Sequence, residues 1–369
     1  MPLPRTPAAE AVETAPSSIA QARAREALRI LRTTFTANAP PPATKARNPA
    51  LDGLRALAAL SVLFMHARLP GFAGGERGVD VFFVLSGYVI TRLLRGQVEQ
   101  DGEIDMAAFW AARTRRLAPA LLVVVAVYVA LAPILWAQYA PMRWRDGALA
   151  ISYLMDYGLA LGQPASPLTP TWSLAIEAQF YLLWPLVLPF IMRRRSPLLV
   201  LLAIWVASTQ VRDLLVAHGI AGPAAYYPLH MRATGLVLGG VLAFAPRRIR
   251  GLGPLALMGL AAIMAFGGAR DLWTVTATEL LTALLIMDLE GDGLAARALA
   301  WEPLRQLGVI SYAIYLWHSL VIAPIAGLAP VEKAPIALAV TIGLATLSWF
   351  TVERWGKRAF KSTIAAAAT

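Results

Sequence analysis

Two apolar stretches near the start of the chain, 54–70 and 79–95, constrain the fold more than any other feature. Each is about long enough to cross a bilayer, for which roughly 17–25 residues are needed. Both carry ionisable groups that lipid does not tolerate: Arg55 and His66 in the first, Asp80 in the second. A charged side chain at mid-membrane depth costs about 2.5–3.5 kcal/mol, so such groups normally face a protein interior or a wet cavity. Arg55 and His66 are eleven residues apart. At about 100° per residue they share one helix face, roughly 16 Å apart along its axis. A snorkelling Arg or a satisfied core His explains either residue alone. The pair on one face reads better as one wall of a polar channel.

The rest of the chain is built of similar material. Its 369 residues are 58% hydrophobic, with 11 Trp and a mean hydropathy of +0.58. Many long apolar runs make this an all-α polytopic membrane protein rather than a soluble domain. There is no cysteine, which excludes a disulfide framework, thiol catalysis and thiolate metal sites. A net charge of +11 would suit a nucleic-acid partner. The basic residues cluster between apolar runs, however, so membrane topology accounts for them better and no nucleic acid is expected. Neither a Gly-rich phosphate loop nor a His pair at i and i+4 is present, so no metal and no ATP-driven pump is expected.

Further apolar runs follow at 118–136, 172–192, 197–216, 230–246, 253–268, 273–289, 306–327 and 334–352, with a shorter one at 148–161. Ten spans place the clusters Arg113/Arg115/Arg116, Arg193–Arg195, Arg247/Arg248/Arg250, Arg297/Arg305 and Arg354/Lys357/Arg358/Lys361 on the cytoplasmic side, with both termini. An eleventh span would put Arg193–Arg195 outside, against the positive-inside bias. The segment 137–171 is therefore expected to be one outer loop whose apolar run lies at the interface or re-enters. The expected organisation is a basic, partly disordered cytoplasmic tail over 1–48, a membrane domain of about ten helices in one bundle over 49–361, and a short tail over 362–369. Ser17 or Ser18 would cap an amphipathic helix in the first tail, and Pro40–Pro42 would follow it as a linker. No appended soluble domain is expected.

Polar residues recur inside the later runs. "FWAARTRRLAP" (109–119) holds Arg113, Arg115 and Arg116. "PTWSLAIEAQFYLLWP" (170–185) holds Trp172, Ser173, Glu177, Gln179 and Tyr181. "HMRATGLVLGGVLAF" (230–244) holds Arg232 ahead of Gly235, Gly239 and Gly240, a spacing that suits close helix packing. "LGVISYAIYLWHSLVI" (307–322) puts Ser311, Tyr315 and His318 on one face. His66 can take a proton near neutral pH or act as a nucleophile. Arg55 stays protonated. It can stabilise an oxyanion, pair with Asp80 or hold phosphate, or simply pair with Asp52 three residues earlier. Glu177 either acts on a substrate or pairs with Arg232. An interfacial aromatic belt explains Trp172 and Tyr181 as well as sugar stacking does.

The chain resembles a known family at these points. "LDGLRALAAL" with its Arg, ten residues and His, then "GVDVFFVLSGYVIT", "RLAP", "TWSL…E…FY" and "SYxxYLxH", arrive in the order found in the integral-membrane acyltransferase family three, the O-antigen acetylase type. The match departs after the last run, where an expected Glu-x-Pro reads Glu353-Arg354-Trp355. The resemblance implies acyl transfer from acyl-CoA, most simply acetyl-CoA, to a hydroxyl of an envelope or exported polysaccharide or its lipid-linked precursor. It implies a bacterial inner-membrane location and polysaccharide-synthesis machinery nearby. His66, Arg55, Glu177 and His318 would be catalytic, and Arg113, Arg115 and Arg116 would bind the donor. Asp80, Trp172, Ser173, Tyr181, Arg232 and Tyr315 would bind substrate. The competing reading is a proton-coupled transporter or lipid-linked-sugar flippase, since buried Arg, His, Asp and Glu suit transport too. No inverted repeat is seen to support it.

Overall fold

The computed structural model describes residues 48–245, 250–267 and 272–353. The tail before Asn48, Arg247 and Arg248, Arg270, and the basic cluster and tail from 354 onward lie outside the described residues. Every regular element described is helical. Helix α1 (Pro49–His66) begins where the Asn48 side chain accepts a hydrogen bond from the Ala50 amide at 3.0 Å, with Pro in the first turn. Helix α2 (Gly78–Asp101) ends at Gly102, whose φ of 82° is readily adopted only without a side chain. Helix α3 (Met106–Leu135) starts on an Asp105 cap. Two short helices follow, α4 (Arg143–Ile151) and α5 (Met155–Ala160), then the long α6 (Thr171–Met192) and α7 (Pro197–Ala217).

The second half is more broken. It runs through α8 (Gly222–Tyr226), α9 (Leu229–Arg232), α10 (Thr234–Phe244), α11 (Gly253–Phe266), α12 (Leu272–Leu289) and α13 (Leu294–Leu299). It closes with α14 (Glu302–Val309), α15 (Ser311–Ile322) and α16 (Pro330–Ser348). By length and composition, α3, α6, α7, α12 and the segment 330–352 suit a membrane crossing, and the α14–α15 pair, bent by 72°, makes a sixth candidate. Each of the ten long apolar runs coincides with a helix or a broken pair. The run at 148–161 does not form one span. It splits into α4 and α5, of 9 and 6 residues, which at 1.5 Å per residue fall far short of a bilayer core of about 30 Å. The segment 137–171 is thus largely helical, and Gln179 on α6 anchors its turn by donating to the Tyr153 carbonyl at 3.0 Å and to Asp156 at 3.1 Å.

Packing explains which helices hold the centre. Helix α2 packs most extensively on α10. The contact depends on glycines: a Cβ on Gly87 would strike the Leu236 carbonyl, and one on Gly239 the Val84 carbonyl. The small-residue spacing read in 230–244 is therefore a packing surface, which lets two backbones touch. Helices α14, α15 and α13 all lean on α1. On the outside, Leu182, Leu186 and Phe190 of α6, Leu199 of α7 and Phe266 of α11 are exposed. A chain that turns large apolar side chains outward and buries Asp80, Arg232 and Glu279 inverts the soluble pattern, as contact with lipid requires.

Candidate functional site

Five helices converge on one cavity of about 750 Å³, open solvent at its edge included. Helix α2 contributes Val79, Phe82, Phe83, Ser86, Val89 and Ile90, which lie on one face at three- and four-residue steps. Helix α3 contributes Arg113, Arg116 and Leu117 by the same rule. Helix α6 presents Ser173, Leu174, Glu177 and Tyr181, and α15 presents Ser311, Tyr312 and Tyr315. Arg55 of α1 completes the wall. Arg115 does not line it: two residues from Arg113 it is turned by about 200° around the helix. Of the three donor-binding arginines expected from sequence, two reach the cavity.

Three guanidinium groups and one carboxylate thus face the same space. Glu177 is held rather than loose. Ser86 Oγ donates to its Oε1 at 2.8 Å, and the Tyr181 hydroxyl donates to Oε2 at 3.0 Å. Arg232 is not its partner. Arg55 Nη1 lies 3.3 Å from Asp52 Oδ1, the i, i+3 pairing that the sequence offered, and not beside Asp80. The cavity is therefore cationic in balance and suits an anionic ligand.

Beside the cavity stands a pair of imidazoles. The rings of His66 and His318 have centroids 4.9 Å apart, inclined at 61°. Tyr315, on the cavity wall, has its ring 5.4 Å from that of His318. Its hydroxyl donates to the Pro170 carbonyl at 2.9 Å and lies 2.8 Å from Ser173 Oγ. The two histidines come from runs some 250 residues apart, so no local pattern could have placed them together. Their protonation follows from their neighbours. His66 Nδ1 lies 2.9 Å from the Val62 carbonyl, and His318 Nδ1 lies 2.6 Å from the Tyr315 carbonyl. A carbonyl only accepts, so Nδ1 carries the hydrogen in each ring and Nε2 presents its lone pair. His318 is 1% exposed, and its Nε2 makes no hydrogen bond among the described residues.

The remaining expected site residues sit in a separate buried cluster. Asp80 Oδ1 receives Arg232 Nη2 at 2.5 Å and its Oδ2 receives Arg77 Nη1 at 2.9 Å. Arg77 also holds Glu76. The Arg232 guanidinium lies 4.6 Å from the Tyr226 ring centroid and 5.5 Å from that of Trp172. Tyr227 packs on Trp172 at 5.2 Å. Trp172 is buried at 6% exposure and forms part of an aromatic cage around a cation rather than an exposed stacking platform. Arg77, in the short segment between the first two apolar stretches, is fully buried. Ser86 and Tyr312 were missed. Their signal was the repeat of α2 at Val79, Phe82, Ser86 and Val89, and the position of Tyr312 next to Ser311.

A helical body with an apolar exterior and an internal chamber lined by Arg55, Arg113 and Arg116, beside two paired imidazoles, has the character of an integral-membrane protein that keeps its charges from lipid. The sequence match is specific: residues 48–353 match the acyltransferase domain family, and the chain belongs to it. It is similar to the O-acetyltransferase OatA of Staphylococcus aureus, 31% identical over 342 residues, covering 83% of this chain and 56% of the relative. It is also similar to the peptidoglycan O-acetyltransferase OatA of Listeria monocytogenes, 30% identical over 348 residues, covering 83% of this chain and 55% of that one. The chain spans about half the length of the curated relatives it matches. No solved structure matches it.

Proposed function

We propose that this protein is a membrane-bound O-acyltransferase that moves an acyl group, most simply acetyl from acetyl-CoA, to a hydroxyl of a cell-envelope glycan. Peptidoglycan is the acceptor named for the relative from Listeria monocytogenes, and we take a glycan of that class, or its lipid-linked precursor, as the acceptor here. The observation that carries the reading is the pairing of His66 with His318, whose Nε2 has no hydrogen-bond partner among the described residues, next to a chamber walled by Arg55, Arg113 and Arg116. In this reading Arg113 and Arg116 hold the phosphates of the donor, where planar guanidinium groups make bidentate contacts. His66 Nε2 takes the proton as the acceptor oxygen bonds to the thioester carbon. The C–S bond then breaks, and the imidazolium returns the proton to the leaving sulfur. Tyr315 and Ser173 position the groups between chamber and imidazoles, and Glu177 keeps Tyr181 and Ser86 in place. The apolar wall of Phe82, Phe83 and Leu174 limits water near the thioester.

The test uses membranes containing the full chain, labelled acetyl-CoA and isolated envelope glycan. Label is expected in the glycan, and transport without incorporation would sink the reading in favour of a flippase. In the same assay, Arg113→Ala and Arg116→Ala should each raise the apparent KM for the donor about tenfold or more. A charge-assisted hydrogen bond contributes roughly 1.5–3 kcal/mol. An effect confined to the KM of the glycan would remove both arginines from the donor site.

We further propose that the ten long apolar runs cross the plasma membrane, with both ends cytoplasmic. The support is the distribution of Arg113–Arg116, Arg193–Arg195 and Arg250. Reporter fusions at 195 and 250 should both read cytoplasmic, and an outward signal at 195 would overturn the topology.

A further inference from the structure

The ninth apolar run breaks where the cavity is. Helix α14 ends at Val309, Ile310 stands alone, and α15 restarts at Ser311 after a 72° bend. An apolar run has a strong reason not to do this, because a break in a membrane helix leaves backbone groups without intrahelical partners. Such breaks are tolerated where they line a wet cavity. Ser311 and Tyr312 line this one, together with Arg55, Arg113 and Arg116. The first N–H groups of a helix have no partners within it, and its start carries partial positive charge.

Two side chains point to a ligand independently of the helix start. Ser311 is 4% exposed, and its hydroxyl, on the cavity wall, makes no hydrogen bond among the described residues. Arg113 Nε is likewise buried without a hydrogen-bond partner among them. The one carboxylate on the wall, Glu177, is turned to Ser86 and Tyr181. Unsatisfied donors therefore meet in a space whose balance of charge is positive.

We infer that the start of α15 and Ser311 Oγ form a phosphate site that seats the diphosphate of the donor, with Arg113 contributing its unpartnered Nε. This rests on the reading that the chamber takes an acyl-CoA. Length agrees with it. Ser311 and His318 are seven residues apart on one helix, roughly 10 Å along the axis. A hydrogen bond of about 3 Å at each end brings the span to roughly 16 Å. An extended pantetheine arm covers about that distance from thioester to diphosphate at ordinary bond lengths. A diphosphate on the first turn of α15 thus puts the thioester at the imidazole pair.

The experiment measures binding of CoA, 3′-dephospho-CoA, pantetheine and inorganic pyrophosphate to the purified full chain, wild type against Ser311→Asp and Ser311→Ala. Ser311→Asp should weaken CoA, dephospho-CoA and pyrophosphate by tenfold or more and leave pantetheine unchanged, because the new carboxylate repels only an anion. Ser311→Ala, which keeps the helix start, should weaken the same three about threefold. Unchanged binding of CoA and pyrophosphate by both variants overturns the site, and so does an equal loss of pantetheine. Loss confined to CoA, with dephospho-CoA unaffected, moves the contact to the 3′-phosphate and overturns the diphosphate assignment. If the wild type binds pyrophosphate in a Ser311-dependent way but neither CoA nor dephospho-CoA, the anion site stands and the acyl-CoA reading falls.

Discussion

His66→Ala is expected to leave a folded, membrane-inserted protein whose acyl transfer falls by about 10²–10⁴-fold, the usual contribution of a positioned general base. The fold should tolerate the change. His66 is only partly buried, and its Nδ1 hydrogen bond goes to a carbonyl of its own helix. Its ring, by contrast, stands 4.9 Å from that of His318, which packs on Tyr315 of the cavity wall. The measurement is the rate of label transfer to glycan, normalised to the folded fraction by size-exclusion chromatography in detergent. A variant that retains more than about a tenth of wild-type transfer would take the imidazole out of the mechanism. A variant that fails to fold would place His66 among the structural residues instead.

Asp80→Ala should act on the other property, stability. Asp80 is fully buried, and both its oxygens bind guanidinium groups that are themselves buried. Removing it takes from Arg77 and Arg232 the carboxylate that they share. Breaking a buried ion pair from one side costs about 3–5 kcal/mol, because the remaining charge stays out of water. Against a total stability of roughly 5–15 kcal/mol, that is a large share, and the melting temperature should fall markedly. Asp80→Ala combined with Arg232→Met should restore part of it by removing the orphaned charge along with its partner. The check is the melting temperature and the monodisperse yield in detergent. If Asp80→Ala instead melts like the wild type and only transfer is lost, Asp80 belongs to a substrate site and not to the scaffold.

The helices were legible as apolar runs but their ends were not, since α1 starts at Pro49 and α3 at Met106, well before the runs read at 54 and 118. Asn48-Pro49, Asp105 and Gly102 mark boundaries by capping and by backbone freedom. The polar residues that matter were legible as anomalies of cost, since Arg55, His66, Asp80, Glu177 and His318 all interrupt apolar surroundings. Their partners were not. The sequence offered Asp80 to Arg55 and Arg232 to Glu177, whereas the folded chain pairs Asp80 with Arg232 and Arg77, and Glu177 with Ser86 and Tyr181. Arg115 looked equal to its neighbours until its angle on α3 was set against a wall. The break at Ile310 was invisible in composition, because 306–327 reads as one apolar run.

Hydrophobic patterning and motif order already describe a helical, lipid-facing chain that resembles the acyltransferase family and carries charges that must be kept from lipid. Hydrophobic period, run length and the energetic penalty for a buried charge are local properties, and each can be read from a few tens of residues. That His66 meets His318, that Arg55, Arg113 and Arg116 face one chamber, and that α15 opens onto it emerge with the packed helices alone. Those facts depend on how helices distant in the chain rotate against each other. That rotation is set by contacts such as Gly87 against Leu236, for which periodicity within a single helix carries no information.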